Sequence, residues 1–330
     1  MVQGMKNITA FDRLLLPILK YIDFLERTRD FFAIQQIVKN WKTVVFFRVG
    51  LKHKFIMILR TGKKIDIREP RDYQKFWASE EGQNALLNTN NFISGVKVDK
   101  KKGTARFNFK NKHLLFYYDS PKQLINTYAL IRAQFIKEEY GWLRVDGKNV
   151  VDIGANVGDT AIYFSLKGAN HVYAYEPYPY SYNIATKNIT INSLGDKITL
   201  LNEGCGKKHS QITIEEDYKN YSGTNLKGFK TGKNIKITTL ENLTKEFNLE
   251  DAALKIDCEG CEYNVILNAP VDTLRKFDQI VMEYHYGYLD IKEKLERAGF
   301  MVKNTKPKYN FNDAADNPDM LIGMLYAERR

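Results

Sequence analysis

Carboxylates gather late in the chain. The stretch ALKIDCEGCEYNVIL sets Asp257, Glu259 and Glu262 around Gly260, and Glu283-Tyr284-His285 ends the next apolar run. Three carboxylates this close repel one another unless they are solvated, cation-bound or partly protonated. Asp257, at the tip of an apolar strand, and His285, beside the same edge, are the candidate general bases. No recognised ligand spacing unites Asp257, Glu259, Glu283 and His285, so no metal is assigned. Cys258 and Cys261 form C-x-x-C, but no second pair completes a zinc site, and the redox motif normally sits in a different βαβ context.

Two earlier stretches have the chemistry of a cofactor site. Residues 149–160 read NVVDIGANVGDT, an apolar run ending on Asp152 and followed by Gly154-Ala155-Asn156-Val157-Gly158. Glycines there let backbone amides approach a ligand, and the N-terminus of the following helix favours negative charge. Asn156 occupies the place of the second glycine in G-x-G-x-x-G, so the turn suits a single carboxylate better than a pyrophosphate. Glu176, at the end of the next strand in YAYEPYPYSYN, lies where an acidic side chain accepts hydrogen bonds from both hydroxyls of a ribose. Together the two signals indicate an adenosine-containing cofactor. After the third strand, Asn202-Glu203-Gly204-Cys205-Gly206 is either a flank for an adenine ring or a plain glycine turn.

These stretches need a frame. From Ser120-Pro121, a cap followed by proline, a helix is predicted to about Glu138. Strands at 150–153, 171–175, 198–201, 253–257 and 279–283 then alternate with helices at 159–167, 179–192, 261–267 and 289–298. Segments 300–304 and 320–326 form a closing pair, and the insertion carries strands near 211–215 and 235–238. Such alternation predicts an α/β fold, a largely parallel sheet with helices on both faces, whose ligands sit beyond the carboxyl ends of the strands. Ahead of it, VVFFRV, FIMILRT and KKIDI read as strands, as do ARFNF and LLFYY. Residues 1–115 are therefore expected to form an α+β accessory region and residues 116–330 the principal domain. Ile8, Phe11, Leu14, Leu15, Ile18, Ile22 and Leu25 make a helical stripe over residues 8–25, expected to pack on its own domain or, in a homo-oligomer, on a second subunit, with a membrane surface as the alternative.

Composition narrows the partners. Fifty basic against thirty-nine acidic residues leave a net charge of +11, which permits nucleic acid, an anionic surface or an acidic substrate without selecting one. Three cysteines (Cys205, Cys258, Cys261) give no disulfide framework and fit a reducing, cytoplasmic setting. No apolar run is long enough to cross a bilayer.

DIGANVGDT, the Glu176-Pro177 pair and LKIDCEGCEYNVIL together resemble the FkbM-type family of S-adenosylmethionine-dependent methyltransferases, over roughly residues 116–304. The resemblance implies the class I methyltransferase fold, a Rossmann-like sheet of seven strands with the last antiparallel. It implies S-adenosylmethionine as cofactor, with Asp152, Gly154, Asn156 and Gly158 lining the methionine end and Thr160 close by. Glu176 would hold the ribose, Glu203 would lie near the adenine, and Asp257 near the methyl group. Relatives mostly methylate hydroxyl oxygens, often on sugars or natural products, so a hydroxyl-bearing small-molecule or glycan acceptor is expected. RNA methylation is the alternative that the positive charge offers. A non-catalytic binding module is opposed by the intact motif set, and a nicotinamide dehydrogenase by Asn156.

Overall fold

A computed structural model describes residues 6–15, 31–48, 51–79, 81, 82, 85, 95–218, 228–309 and 320–329. The chain forms two compact units. One comprises Met1–Leu16, Leu115–Tyr117 and Leu130–Arg330, the other Pro17–Leu114 and Tyr118–Ala129. The division is discontinuous, where the sequence predicted a single cut after residue 115.

The larger unit is built on seven strands: β1 (Asn149–Ile153), β2 (His171–Tyr175), β3 (Ile198–Leu201), β4 (Ala252–Ile256), β5 (Phe277–Tyr284), β6 (Phe300–Asn304) and β7 (Leu321–Arg329). Their order across the sheet is β6-β7-β5-β4-β1-β2-β3, with a two-residue strand, Lys308–Tyr309, also pairing β7. Strands β3, β2, β1, β4 and β5 run parallel; β7 lies antiparallel between β5 and β6. Helices α1 (Asp159–Leu166), α2 (Pro179–Ile191), α3 (Leu240–Glu246), α4 (Glu262–Asn268) and α5 (Leu289–Arg297) interleave with them. Strand β4 is buried along its whole length. Val150, Val151, Val172, Ala174, Leu254, Ile256, Ile280 and Met282 are fully buried in the sheet. Such near-continuous apolar runs are what strands covered on both faces require.

The insertion after β3 folds as a small sheet, with Ser210–Ile214 and Lys233–Thr238 antiparallel and Glu203–Cys205 added in parallel. The described N-terminal residues are fastened to the loop after β5. Asn7 Oδ1 accepts the Asp290 N–H at 2.8 Å, and Asn7 O accepts that of Tyr288 at 2.9 Å. The Tyr288 hydroxyl donates to Asp12 Oδ2 at 2.6 Å, and Ile8 is fully buried in the core of this unit. Residues 10–15 are helical; the rest of the predicted 8–25 helix lies outside the described residues.

In the smaller unit the predicted strands at Phe55–Ile58 and Lys64–Ile67 pair as an antiparallel hairpin, and Lys97–Asp99, Thr104–Phe109 and the strand beginning at Lys112 form a meander. VVFFRV corrects the reading: Trp41–Arg48 is a helix. Its β-branched and aromatic composition mimics a strand, but Val44 and Phe47 are buried while Phe46 between them is exposed, the three-residue spacing of a helix face.

Candidate functional site

Strands β1, β2, β4 and β5 deliver their carboxyl ends to one edge, and the predicted residues meet there in two groups. In the first, the turn after β1 is locked between its neighbours. Gly154 sits at φ +81°, and a Cβ there would stand 1.8 Å from the carbonyl oxygen of Asp257, so only glycine fits. Gly158, also at φ +81°, caps α1. Asn156 takes the left-handed conformation at φ 46°, and its N–H donates to Glu176 Oε2 at 2.9 Å. Glu176 Oε1 accepts the Tyr178 N–H at 2.8 Å. Burial pushes the Glu176 carboxyl up to about 8, against these two N–H bonds, which favour its charged form. A carboxylate has roughly four acceptor positions, so two remain. Asn202 binds the carbonyls of Glu176 and Pro177, tying the third strand end to the second.

Asp152 and Thr160 stand beneath this turn rather than on its surface. Asp152 is fully buried; its Oδ2 accepts the Thr160 hydroxyl at 2.5 Å, and its Oδ1 lies 2.9 Å from Lys255 Nζ. Lys255 is equally buried and donates to the Gly154 carbonyl at 2.8 Å. Burial alone would lower the lysine, but Asp152 and Asp257 outweigh it and hold the ammonium above its ordinary value. Asp159, in the first turn of α1, is buried as well, and burial pushes its carboxyl up to about 7 although Lys255 pulls it down. Glu203 lies apart from both groups, on the small sheet, paired with Lys236 at 3.1 Å.

The second group surrounds His285. Its Nε2 lies 3.0 Å from Glu259 Oε2, 3.5 Å from Glu283 Oε2 and 4.0 Å from Asp257 Oδ1. Nδ1 lies 3.1 Å from Oε1 of the fully buried Glu262, which also accepts the Cys258 N–H at 3.0 Å. Burial opposes charge on the imidazole, yet Glu262 and Glu259 hold it well above the usual histidine range. The arrangement favours the charged imidazole over the free base. Burial and then Asp257 drive the Glu283 carboxyl well up, and burial raises Glu259 against His285. Asp257 Oδ2 accepts the Tyr140 hydroxyl at 2.9 Å, and its side chain is partly exposed.

Cys258 and Cys261 are joined in a disulfide, which corrects the expectation of free thiols. The pair brackets Glu259, held at φ 57°, and Gly260, at φ 111°, and so fixes the turn that presents Glu259. A cleft of ≈ 380 Å³ opens beside Gly260 and Cys261, lined also by Cys205, Lys207, Lys208 and Asn264.

Sequence reading missed Lys255, Tyr140, Asp159 and the role of Glu262. Lys255 left a signal, a lone cation inside the apolar strand ALKI. Tyr140 left none, since it reaches Asp257 from 117 positions away.

The strand order, with β7 inserted antiparallel and a glycine turn after β1, defines the class I methyltransferase fold. Residues 152–302, a little under half of the chain, match the methyltransferase FkbM domain. Over 55 residues it is 46% identical to ribosomal protein L11 methyltransferase of Carboxydothermus hydrogenoformans, a stretch spanning 17% of this chain and 18% of that enzyme. An rRNA methylase from Streptococcus thermophilus overlaps 60% of this chain and 96% of its own at 13% identity, with a TM-score of 0.37. Precorrin-6y C5,15-methyltransferase from Geobacter metallireducens GS-15 overlaps 72% and 100% at 16% identity, with a TM-score of 0.32. Overlaps this loose assign no substrate. Among the described residues no helix is long and apolar enough to cross a membrane.

Proposed function

We propose that the chain transfers the methyl group of S-adenosylmethionine to a hydroxyl oxygen of a sugar, glycan or other small-molecule acceptor. The observation that carries the reading is the double fastening of the β1 turn: Asn156 N–H to Glu176 on one side, Gly154 against the Asp257 backbone on the other. The turn and the ribose-type carboxylate are thereby pre-positioned next to the cluster that faces the reacting group, which lowers the entropy cost of alignment. Gly154, Asn156 and Gly158 would cradle the methionine end, supported from below by Asp152, Thr160 and Lys255. The two open acceptor positions of Glu176 suit the ribose diol. Glu203 would reach the adenine only by leaving Lys236.

Methyl transfer is an in-line displacement: the acceptor oxygen bonds the methyl carbon, the sulfur keeps the pair from the broken bond, and the hydroxyl proton must leave. Asp257 is the proposed proton acceptor, oriented by Tyr140 through Oδ2 with Oδ1 left open. His285, already protonated between carboxylates, orients the cluster in place of acting as base. The cleft at Gly260 and Cys261 provides a route for the acceptor.

RNA methylation is the second reading, favoured by the net charge of +11. One experiment separates the two: purified enzyme, methyl-labelled S-adenosylmethionine and cell extract, followed by fractionation. Label in glycan or small-molecule fractions is the expected result; label confined to RNA would replace the proposal.

A further inference from the structure

We propose that Asp257, Glu283 and His285 form a binding site for a divalent metal cation at the edge of the β4–β5 pair. One ligand atom from each lies within 4.8 Å of the other two. His285 Nε2 stands 3.5 Å from Glu283 Oε2 and 4.0 Å from Asp257 Oδ1. A cation bonded at about 2.2 Å spaces its ligand atoms about 3.1 Å apart when adjacent and about 4.4 Å when opposite. To become adjacent ligands, His285 and Glu283 therefore need to close by about 0.4 Å and His285 and Asp257 by about 0.9 Å, shifts within reach of side-chain rotation.

A second feature concerns the far side of the ring. His285 Nδ1 lies 3.1 Å from Glu262 Oε1, and Glu262 is itself fully buried and anchored by the Cys258 N–H. A metal-bound histidine characteristically gives its other N–H to such a carboxylate, which fixes the tautomer and aims the remaining lone pair at the metal. Nε2 here lies among Asp257, Glu259 and Glu283, and giving up its proton would offer a lone pair to a cation there. Among the described residues no Lys or Arg pairs with any of these three; Lys255, the nearest buried cation, is committed to Asp152. At the β4–β5 edge one imidazole thus faces several carboxylates, with no Lys or Arg side chain paired to them among the described residues.

Mixed carboxylate and imidazole donors suit Mn²⁺ or a similar first-row ion. Binding displaces the proton that Nε2 shares with Glu259, and that proton goes to solvent. Cation binding stands by itself, while its role rests on the reading proposed above. A hydroxyl joining the metal becomes more acidic. With a cation bound, Asp257 would serve as its ligand and Glu259 would take the hydroxyl proton in place of Asp257.

The test is an electron paramagnetic resonance titration of the full chain with Mn²⁺ alone, without any methyl donor. One saturable site per chain is expected, weakened at least tenfold in Glu283→Gln and in His285→Asn and unchanged in Glu250→Gln, a surface residue paired with Lys276. Calorimetry with adenosylhomocysteine on wild type and Glu283→Gln runs in parallel. It reports the donor site separately, so loss of one does not imply loss of the other. Absence of saturable Mn²⁺ binding to the wild type, or equal affinity in Glu283→Gln, would overturn the proposal. Should either variant fail to fold, the wild-type titration still decides.

Discussion

The two halves of the site differ in how they treat charge. At the ends of β1 and β2 each buried ion has a partner: Asp152 faces Lys255, and Glu176 receives two backbone N–H groups. At the ends of β4 and β5, four carboxylates crowd one imidazole. The first half is complete without a ligand, as the proposed cofactor cradle should be. The second is held in a state that a proton, a cation or a bound acceptor can relieve. Stability comes from one and reactivity from the other, and Lys255, which touches the Gly154 carbonyl and acts electrostatically on Asp257, joins them.

Removing that link should produce the largest effect. Lys255→Met strands Asp152 as an unpaired buried charge and is expected to cost about 3–5 kcal/mol. Urea unfolding measures it. A loss within about 0.5 kcal/mol, the scale of a neutral surface change, would mean that the pair is not what completes the cofactor half.

Asp257→Asn should separate the halves functionally. Turnover is expected to fall about 10²-fold or more, the scale of losing a general base, with affinity for adenosylhomocysteine unchanged. Single-turnover methyl transfer is the measurement. Unchanged chemistry would take Asp257 out of the reaction.

A further expected effect is a slope with pH. Glu176, at about 8, and Asp159, at about 7, are both raised by burial in the folded chain. Each therefore contributes stability that is fully present below its unfolded value and is lost as pH rises through the folded one. Unliganded Tm should fall from about pH 5 to pH 9, and Glu176→Gln should flatten part of that fall. An identical slope in the variant would mean that Glu176 ionises normally.

How much of this was legible in the sequence follows from where each signal resides. The strands β1 to β5 were readable because each is a short apolar run bounded by turns, and local pattern and tertiary burial agree there. Trp41–Arg48 was misread because its residues favour strands and only burial on one face makes them helical. Gly154, Glu176 and Asp257 could be placed at strand ends from the sequence because those positions are tied to chain order. The protonated state of His285 could not be read, because it depends on Glu259 and Glu262 closing on it from the turn and helix after β4. The Cys258–Cys261 bond escaped for a different reason: composition counts cysteines, whereas a bond depends on how two of them are held.

The central claim is that the carboxylate after β2 and the glycine turn after β1 form one donor site. Calorimetric titration with adenosylhomocysteine, on wild type and on Glu176→Ala, tests it most directly. A single site on the wild type, weakened at least tenfold by the substitution while the variant stays folded, is the predicted result. Equal affinity in the two proteins, or no binding to the wild type, would contradict it.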